Sequence, residues 1–359
     1  MGVTINLRGK PRIGDGCSPY LIAEIGTNHN QEIQIARVLV KAVAEAGFDC
    51  AKFQIYESNE IVSGNVRASD YSLEKYYGDI SAAEMFDKYL RTPKEWFPEL
   101  RDLCRQYGID CATTIHGAHG LEWAREMDFD LIKIASMDHN NLPFLRSLVN
   151  VIDAPILISF GMATLADIDA AVATLSPHRP GVGVFHCVSI YPPRPEELRL
   201  TNIPFLRQRF PVPVGFSDHA DDVITSLAAL SLGSRLFEKH VTLDKKSHGP
   251  DHPFALEPDQ MKTYVNGLRI LADGLDSGEF EAPTCKELAI RASYLKSIVA
   301  ARDLPSGHKL EAGDLILVRP GTGIPPKDMD AVIGRAVRRS LQQGAVLAWE
   351  DLDTEQCAS

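Results

Sequence analysis

Three ionisable side chains in a row, Glu238, Lys239 and His240, end an apolar run that begins at Leu236. A buried strand excludes charge unless the charge is paired or binds something, so such a run points to a site. A second cluster, Gly215-Phe216-Ser217-Asp218-His219, also ends a short apolar run, and its histidine precedes His240 by 21 positions. Two imidazoles brought together at strand ends could share a metal ion; a pair of hydrogen-bonded core histidines is the alternative. Gly249-Pro250-Asp251-His252-Pro253 follows closely and adds a carboxylate. Polar residues end other apolar runs in the same way: Glu24; Lys52 and Gln54; Thr113 and Thr114; Lys133 and Ser136; His186. Buried lysines and hydroxyls suit a small anion, which in a chain of formal net charge -11 needs locally fixed cations.

These residues need a scaffold that brings strand ends together. Strand-type runs over 20–26, 49–54, 109–114, 131–135, 155–159, 182–187, 212–216 and 235–238 alternate with helical patterns over 33–46, 93–107, 118–126, 141–149, 164–175, 202–209, 222–231 and 258–274. Eight strand–helix units in about 255 residues predict a closed (β/α)8 TIM barrel, whose active site is built at the C-terminal ends of its strands. Polar groups from seven of the eight strands then converge on one rim, while the fifth, ending in Ser159-Phe160-Gly161-Met162, offers little. An open doubly wound sheet is the alternative, but the first strand–helix turn lacks a Gly-rich phosphate fingerprint. The barrel is expected over 1–275, a linker with Gly278 and Pro283 over 276–293, a small turn-rich β domain over 294–352, and a tail over 353–359. So small a β domain buries little by itself and needs a neighbour.

Composition narrows the function classes. With 45 % hydrophobic and 24 % charged residues, the chain is expected to fold rather than stay disordered. No Lys/Arg-rich run appears, so a nucleic-acid partner is not expected. Seven cysteines form no Cys-x-x-Cys pair and the first ten residues carry no secretory apolar core, so a reducing cytosol is the expected location. No apolar run approaches the ~18 residues of a membrane span.

Several motifs resemble those of the sialic acid synthases, which condense phosphoenolpyruvate with a mannosamine-type aldose to a nine-carbon 2-keto acid. They are Ile22-Ala23-Glu24-Ile25-Gly26-Thr27-Asn28-His29-Asn30, Ala51-Lys52-Phe53-Gln54, Ile132-Lys133-Ile134-Ala135-Ser136 and His186-Cys187-Val188-Ser189-Ile190-Tyr191-Pro192, with Gly215–His219, Glu238-Lys239-His240 and Gly249-Pro250-Asp251. The C-terminal residues around Val318-Arg319-Pro320-Gly321 resemble that family's antifreeze-like SAF domain, a β-clip fold. The resemblance runs along nearly the whole chain in order.

What it implies is specific. His219 and His240 resemble metal ligands, and two protein nitrogens completed by water and substrate oxygens suit Mn2+ or Mg2+ better than structural zinc. Lys52, Lys133, Thr113 or Thr114, Ser136 and Ser217 resemble the phosphoenolpyruvate cradle; lysines paired with Glu24 and Glu238 are the compatible alternative in the empty enzyme. Gln54, Ser189 and Tyr191 fall with the substrate-binding set. Glu24 and Asp251 resemble carboxylates that hold the sugar's hydroxyls, and either could move a proton. Arg319 resembles a residue that reaches a sugar bound in a partner subunit, so the resemblance implies a domain-swapped homodimer.

Departures from the family pattern fall on the sugar side. Ser189 stands where Asn is common, Thr113-Thr114-Ile115-His116-Gly117 replaces a Ser-Thr-Pro-Phe-Asp type of run, and His252 follows Asp251. The acceptor could therefore be a 6-phosphate, a diacetamido sugar or a spore-coat precursor, with His116, His119 and His252 serving an anionic acceptor or standing as solvated loop histidines. Other functions on the same pattern are a metal-dependent aldolase or hydrolase and a non-catalytic carbohydrate-binding protein.

Overall fold

In the computed structural model, which describes residues 3–7, 10–149, 151–276 and 282–353, the barrel consists of eight parallel strands: β3 (Tyr20–Glu24), β4 (Cys50–Ile55), β5 (Asp110–Ile115), β6 (Leu131–Ile134), β7 (Ile156–Ser159), β8 (Val182–Cys187), β9 (Val214–Asp218) and β10 (Leu236–His240). They pair in sequence order, and β10 closes the ring on β3 with His240 opposite Glu24. Seven of the eight are buried along their whole length and the eighth, β4, at all but Gln54, as expected where helices cover a parallel sheet from outside. The helices are α1 (Ile33–Ala46), α2 (Phe97–Tyr107), α3 (Ala118–Met127), α4 (Leu142–Val149), α5 (Leu165–Leu175), α6 (Asn202–Arg209), α7 (Ile224–Ser231) and α8 (Pro258–Leu275). Helix α1 shows the local logic: Ala36, Leu39, Val40 and Val43 form its buried stripe. Gly47, at φ 91°, ends it by donating its N–H to Ala44 and Val43.

Two features add to the predicted barrel. A hairpin of β1 (Thr4–Leu7) and β2 (Lys10–Gly14) precedes it and packs Ile5, Leu7 and Ile13 against Tyr20, Ile22, Leu131 and Phe185 at the N-terminal end of the strands. Between β4 and α2 the chain makes short helical turns around a satellite core of Ala68, Met85 and Leu90, backed by Tyr77, Phe86 and Tyr89. Among the described residues no helix is long and apolar enough to cross a membrane.

The chain divides into two compact units, Met1–Ser277 and Gly278–Ser359. The span read as a linker holds a helix, α9 (Cys285–Tyr294), begun by Thr284, whose hydroxyl accepts from Glu287 N–H while the Glu287 carboxylate reaches back. Residues 277–281 and most of the expected tail, 354–359, lie outside the described residues. In the small unit β11 (Ser297–Ala300) pairs antiparallel with β12 (Leu315–Val318) over a core that includes Ile298, Leu304, Leu310, Ile324, Val337 and Leu347.

Asp314 ties this small core together. Its carboxylate accepts from the Glu311 N–H at 2.9 Å, His308 Nε2 at 2.7 Å and Arg302 Nε at 2.8 Å, which hold its pKa down at about 2 from an ordinary 3.8. The folded value lies below the unfolded one. This stabilisation is therefore complete above about pH 4 and is lost as pH falls from 3.8 through 2. Asp314→Asn is expected to cost about 2 kcal/mol near neutrality and to remove that acid dependence, read from hydrogen exchange at the Ser297–Ala300 amides as pH is lowered. Unchanged protection in the variant would refute the role.

Candidate active site

At the C-terminal ends of the barrel strands a cavity of about 920 Å³ is lined by Glu24, Lys52, Gln54, Thr114, Lys133 and Ser136, and by Ser189, Tyr191, Ser217, His219, Glu238, His240 and Asp251. Adjacent strand register brings them together: Glu24 lies beside Lys52, Gln54 beside Thr114, Thr114 beside Lys133, and Glu238 beside Ser217.

The floor is a charge network. Lys52 Nζ lies 2.6 Å from Glu24 Oε2 and 3.7 Å from Glu238 Oε2, and donates to Thr114 Oγ1 at 2.8 Å. Gln54 Nε2 donates to the other Glu24 oxygen at 2.7 Å, and Ser217 Oγ to Glu238 Oε1 at 3.1 Å. Lys133 Nζ donates to Ser159 Oγ at 2.6 Å and to the Ile134 carbonyl at 2.9 Å. Both lysines are 3 % exposed, and a cation so deep is retained only among acceptors. Burial pulls the Lys133 pKa down, whereas for Lys52 the charges of Glu238 and Glu24 outweigh burial and hold it up. Burial pushes Glu24 up to about 7, against the pull of Lys52, so one carboxyl of the site can gain or lose a proton near neutrality. Glu238 stays ionised because Lys133 and Lys52 outweigh its burial.

Above the floor stand the two histidines, ring centroids 5.5 Å apart. His219 Nδ1 donates to the Val188 carbonyl at 2.9 Å, so the neutral ring carries its lone pair on Nε2, while the charge and hydrogen bond of Cys187 outweigh burial and raise its pKa. Burial holds His240 well below the usual imidazole range, hence neutral; its Nδ1 has no hydrogen-bond partner and lies 3.6 Å from Asp251 Oδ2. The Tyr191 ring lies 4.1 Å from that of His219, and Thr27 Oγ1 donates to Asp251 Oδ2 at 3.2 Å.

Two expected residues of the barrel are turned away from the cavity. Thr113 is turned the other way by strand alternation, its hydroxyl donating to the Thr114 carbonyl at 3.2 Å, so Thr114 is the threonine at the cavity. His186 likewise faces away, bonded to the Leu198 carbonyl at 2.6 Å and stacked on Phe216, while Cys187 faces in. Arg319 is exposed in the small unit, where its Nε donates to the Tyr294 carbonyl at 3.0 Å and its guanidinium lies 4.8 Å from the Tyr294 ring centre. The fifth barrel strand, expected to offer little, supplies Ser159 to Lys133, and Gly161 just beyond it donates its N–H to Ser136 Oγ at 2.9 Å. A Cβ at Gly161 would lie 2.1 Å from Ser189 Oγ and 2.8 Å from Ser136 Oγ, so a larger residue there requires those hydroxyls to move.

Comparison with known sequences then decides the family. The sequence model of the NeuB family matches residues 39–279, and that of the SAF domain residues 296–353. The chain belongs to the NeuB family. An N,N'-diacetyllegionaminic acid synthase of Legionella pneumophila is 33 % identical over 98 % of this chain and 100 % of its own length. An N-acetylneuraminate-9-phosphate synthase of Mus musculus is 29 % identical, with 93 % of each chain covered. The crystal structure of N-acetylneuraminic acid (sialic acid) synthetase from Leptospira borgpetersenii in complex with citrate superposes with a TM-score of 0.71 at 25 % identity, covering 80 % of this chain and 95 % of that one. This NeuB chain is thus an enzyme of the sialic acid synthase type, which sets aside the non-catalytic reading.

Two further features surround the NeuB site, and only the first had no signal in the sequence motifs. The turns between β4 and α2 supply an aromatic and aliphatic wall that includes Ile61, Tyr71, Tyr76, Phe86 and Leu90. On the outer side of the rim, Asp218 and Lys239, both fully buried, pair at 3.1 Å between the two histidine-bearing strands.

Proposed function

We propose that this enzyme condenses phosphoenolpyruvate with an N-acylated mannosamine-type aldose, giving a nine-carbon 2-keto acid and phosphate. The observation that carries the reading is two fully buried lysines, ringed by Thr114, Ser136, Ser159 and Ser217, beneath a pair of histidines at one mouth. A phosphate and a carboxylate need this set: Lys52 and Lys133 give compact fixed charge, and the hydroxyls reorient to donate to substrate oxygens.

The histidines fit a divalent cation, Mn2+ or Mg2+. His219 presents Nε2 with its tautomer already set, and His240 is neutral with an unpartnered Nδ1. Among the described residues no three His, Cys, Asp or Glu groups form a metal-holding cluster, so water and substrate oxygens would complete the shell. When bound, the ion would supply Lewis acidity to the sugar aldehyde. The methylene carbon of phosphoenolpyruvate then bonds to the aldehyde carbon, and a carboxyl group, Glu24 or Asp251, gives the new alkoxide its proton. Water adds at C2 and loses a proton to the same pair; the C2–O bond breaks and phosphate leaves.

On the acceptor side, burial holds His252 at about 4, neutral, with Nδ1 2.7 Å from Thr242 Oγ1, and it does not line the cavity. His119 pairs with Glu60 and is exposed. Lys75, exposed at the mouth with its ammonium 4.8 Å from the Tyr76 ring centre, is the lining lysine that is not buried. Set against the apolar wall, this favours an uncharged diacetamido-trideoxy aldose over a sugar phosphate. The test is phosphate release with phosphoenolpyruvate, Mn2+ and three aldoses: N-acetylmannosamine, its 6-phosphate and a diacetamido-trideoxy hexose. The last is expected to give the highest kcat/KM, and exhaustive chelation should abolish turnover until metal is restored. A preference for the phosphate would overturn the acceptor, and full activity in chelator the metal.

The functional unit is a homodimer that exchanges its small units. In support, the small unit exposes Leu288, Ile290, Tyr294, Ile316 and Leu317, each more than a third accessible, with exposed Arg319 laid against Tyr294.

A further inference from the structure

His116 stands where β5 runs into α3, 3 % exposed and on the cavity wall next to Thr114, Ser136 and Met137. Its Nδ1 lies 2.6 Å from Asp138 Oδ2, in the short turn Ser136–Asp138 that follows β6. Its ring meets that of Tyr56, just beyond β4, edge to face at 5.7 Å. Three neighbouring barrel elements therefore fix one imidazole at the mouth.

The arrangement is half complete. An ionised carboxylate only accepts, so Nδ1 carries the proton toward Asp138, and the opposite nitrogen, Nε2, has no hydrogen-bond partner among the described residues. Burying an imidazole and a carboxylate where an aromatic hydrocarbon would pack is costly unless each polar atom finds a partner. Nδ1 is satisfied and Nε2 is not one of the buried atoms left without a partner, so Nε2 opens onto the cavity, where water or a bound group completes it.

We infer that His116, oriented by Asp138, contacts the acceptor sugar, its Nε2 hydrogen-bonding a hydroxyl or acetamido group, and that the pair selects among aldoses. This rests on the condensation proposed above. Hydroxyl and acetamido groups both donate and accept, so they satisfy Nε2 with or without its proton. Asp138 is a positioning residue: it fixes ring orientation and tautomer without touching the sugar.

Initial rates for His116→Phe, His116→Gln, Asp138→Ala and the double variant His116→Phe/Asp138→Ala, with each substrate varied in turn, test the assignment. His116→Phe keeps the ring volume and is expected to raise the acceptor KM about tenfold, the worth of one good hydrogen bond, with the phosphoenolpyruvate KM within about twofold. Asp138→Ala should raise the acceptor KM alone, yet add nothing once His116 is phenylalanine, and His116→Gln should recover part of the loss. N-acetylmannosamine against its analogues lacking one hydroxyl or the acetamido group then tells which group is held: the held group is the one whose removal costs the unaltered enzyme but not His116→Phe. Aldose binding without turnover, read by calorimetry on unaltered and His116→Phe protein, keeps the contact separate from the chemistry. An enzyme inert toward every aldose would defeat the condensation while the binding difference stood. Unchanged acceptor KM and affinity in folded His116→Phe, equal rises in both KM values, or additive losses in the double variant would overturn the inference.

Discussion

Lys239→Met is expected to lower the unfolding free energy of the barrel by about 3–5 kcal/mol and to take activity with it. Asp218 and Lys239 alternate with the cavity-facing residues of β9 and β10, so they point outward, where helices cover them. The Asp218 carboxylate accepts from Thr225 Oγ1 and Ser226 Oγ, each at 2.7 Å, and from the Ala220 N–H at 2.9 Å, while Lys239 also donates to the Ala220 carbonyl. Removing the lysine leaves an anion buried without its counter-charge between the strand ends that carry His219 and His240. The double variant Asp218→Asn/Lys239→Met strands no charge and should regain a large part of the lost stability, a non-additivity that urea unfolding of both proteins measures. If the single change costs under about 1 kcal/mol, or the double change costs the sum of the two, the pair does not hold the strands.

Mixed dimers should show the second large effect, recovery of activity from two inactive proteins. Arg319→Ala and His240→Ala homodimers are each expected to lose nearly all turnover, the first by losing a sugar contact supplied across subunits, the second by losing a metal nitrogen. Their heterodimer contains one barrel with intact histidines that is served by the intact arm of the other chain, so one site in two should work. A fully extended tether of roughly 18 residues reaches at most about 60 Å, and with α9 formed the covalent path is shorter, so the exchanged arm depends on close two-fold docking. A verified heterodimer that stays inactive would show that each arm serves its own barrel or none.

Much of this site is legible in the sequence because strand ends in a barrel are the one place where apolar runs can stop on charges. Lys52, Lys133, Glu238 and His240 announce themselves that way. What stays hidden is phase. Thr113 and Thr114 are both threonines at a strand end, and only the register with Gln54 and Lys133 shows which one faces in. His186 and Cys187 pose the same problem, and chemistry favours the wrong member. Ser159 carries no pattern at all; it matters because its hydroxyl lies where Lys133 ends. The β1–β2 hairpin is obscured by its length, since five residues of Lys10–Gly14 with two basic side chains, a proline and a glycine look like a leader to the fold. Helix α9 is obscured by having no buried residue, so no apolar stripe marks it.

That hairpin also constrains kinetics. Ile5, Leu7 and Ile13 stopper the barrel at the end away from the cavity, so among the described residues the cavity opens at the C-terminal mouth of the strands. Lys52 and Lys133 lie at the bottom of that well at 3 % exposure, while Tyr191 at 54 % and Met162 at 73 % stand at its lip. On the proposed condensation such a well would load in order of depth, phosphoenolpyruvate before the aldose that covers it, and phosphate formed beneath the new sugar acid would leave after that product. It would then work as a stack, last in and first out.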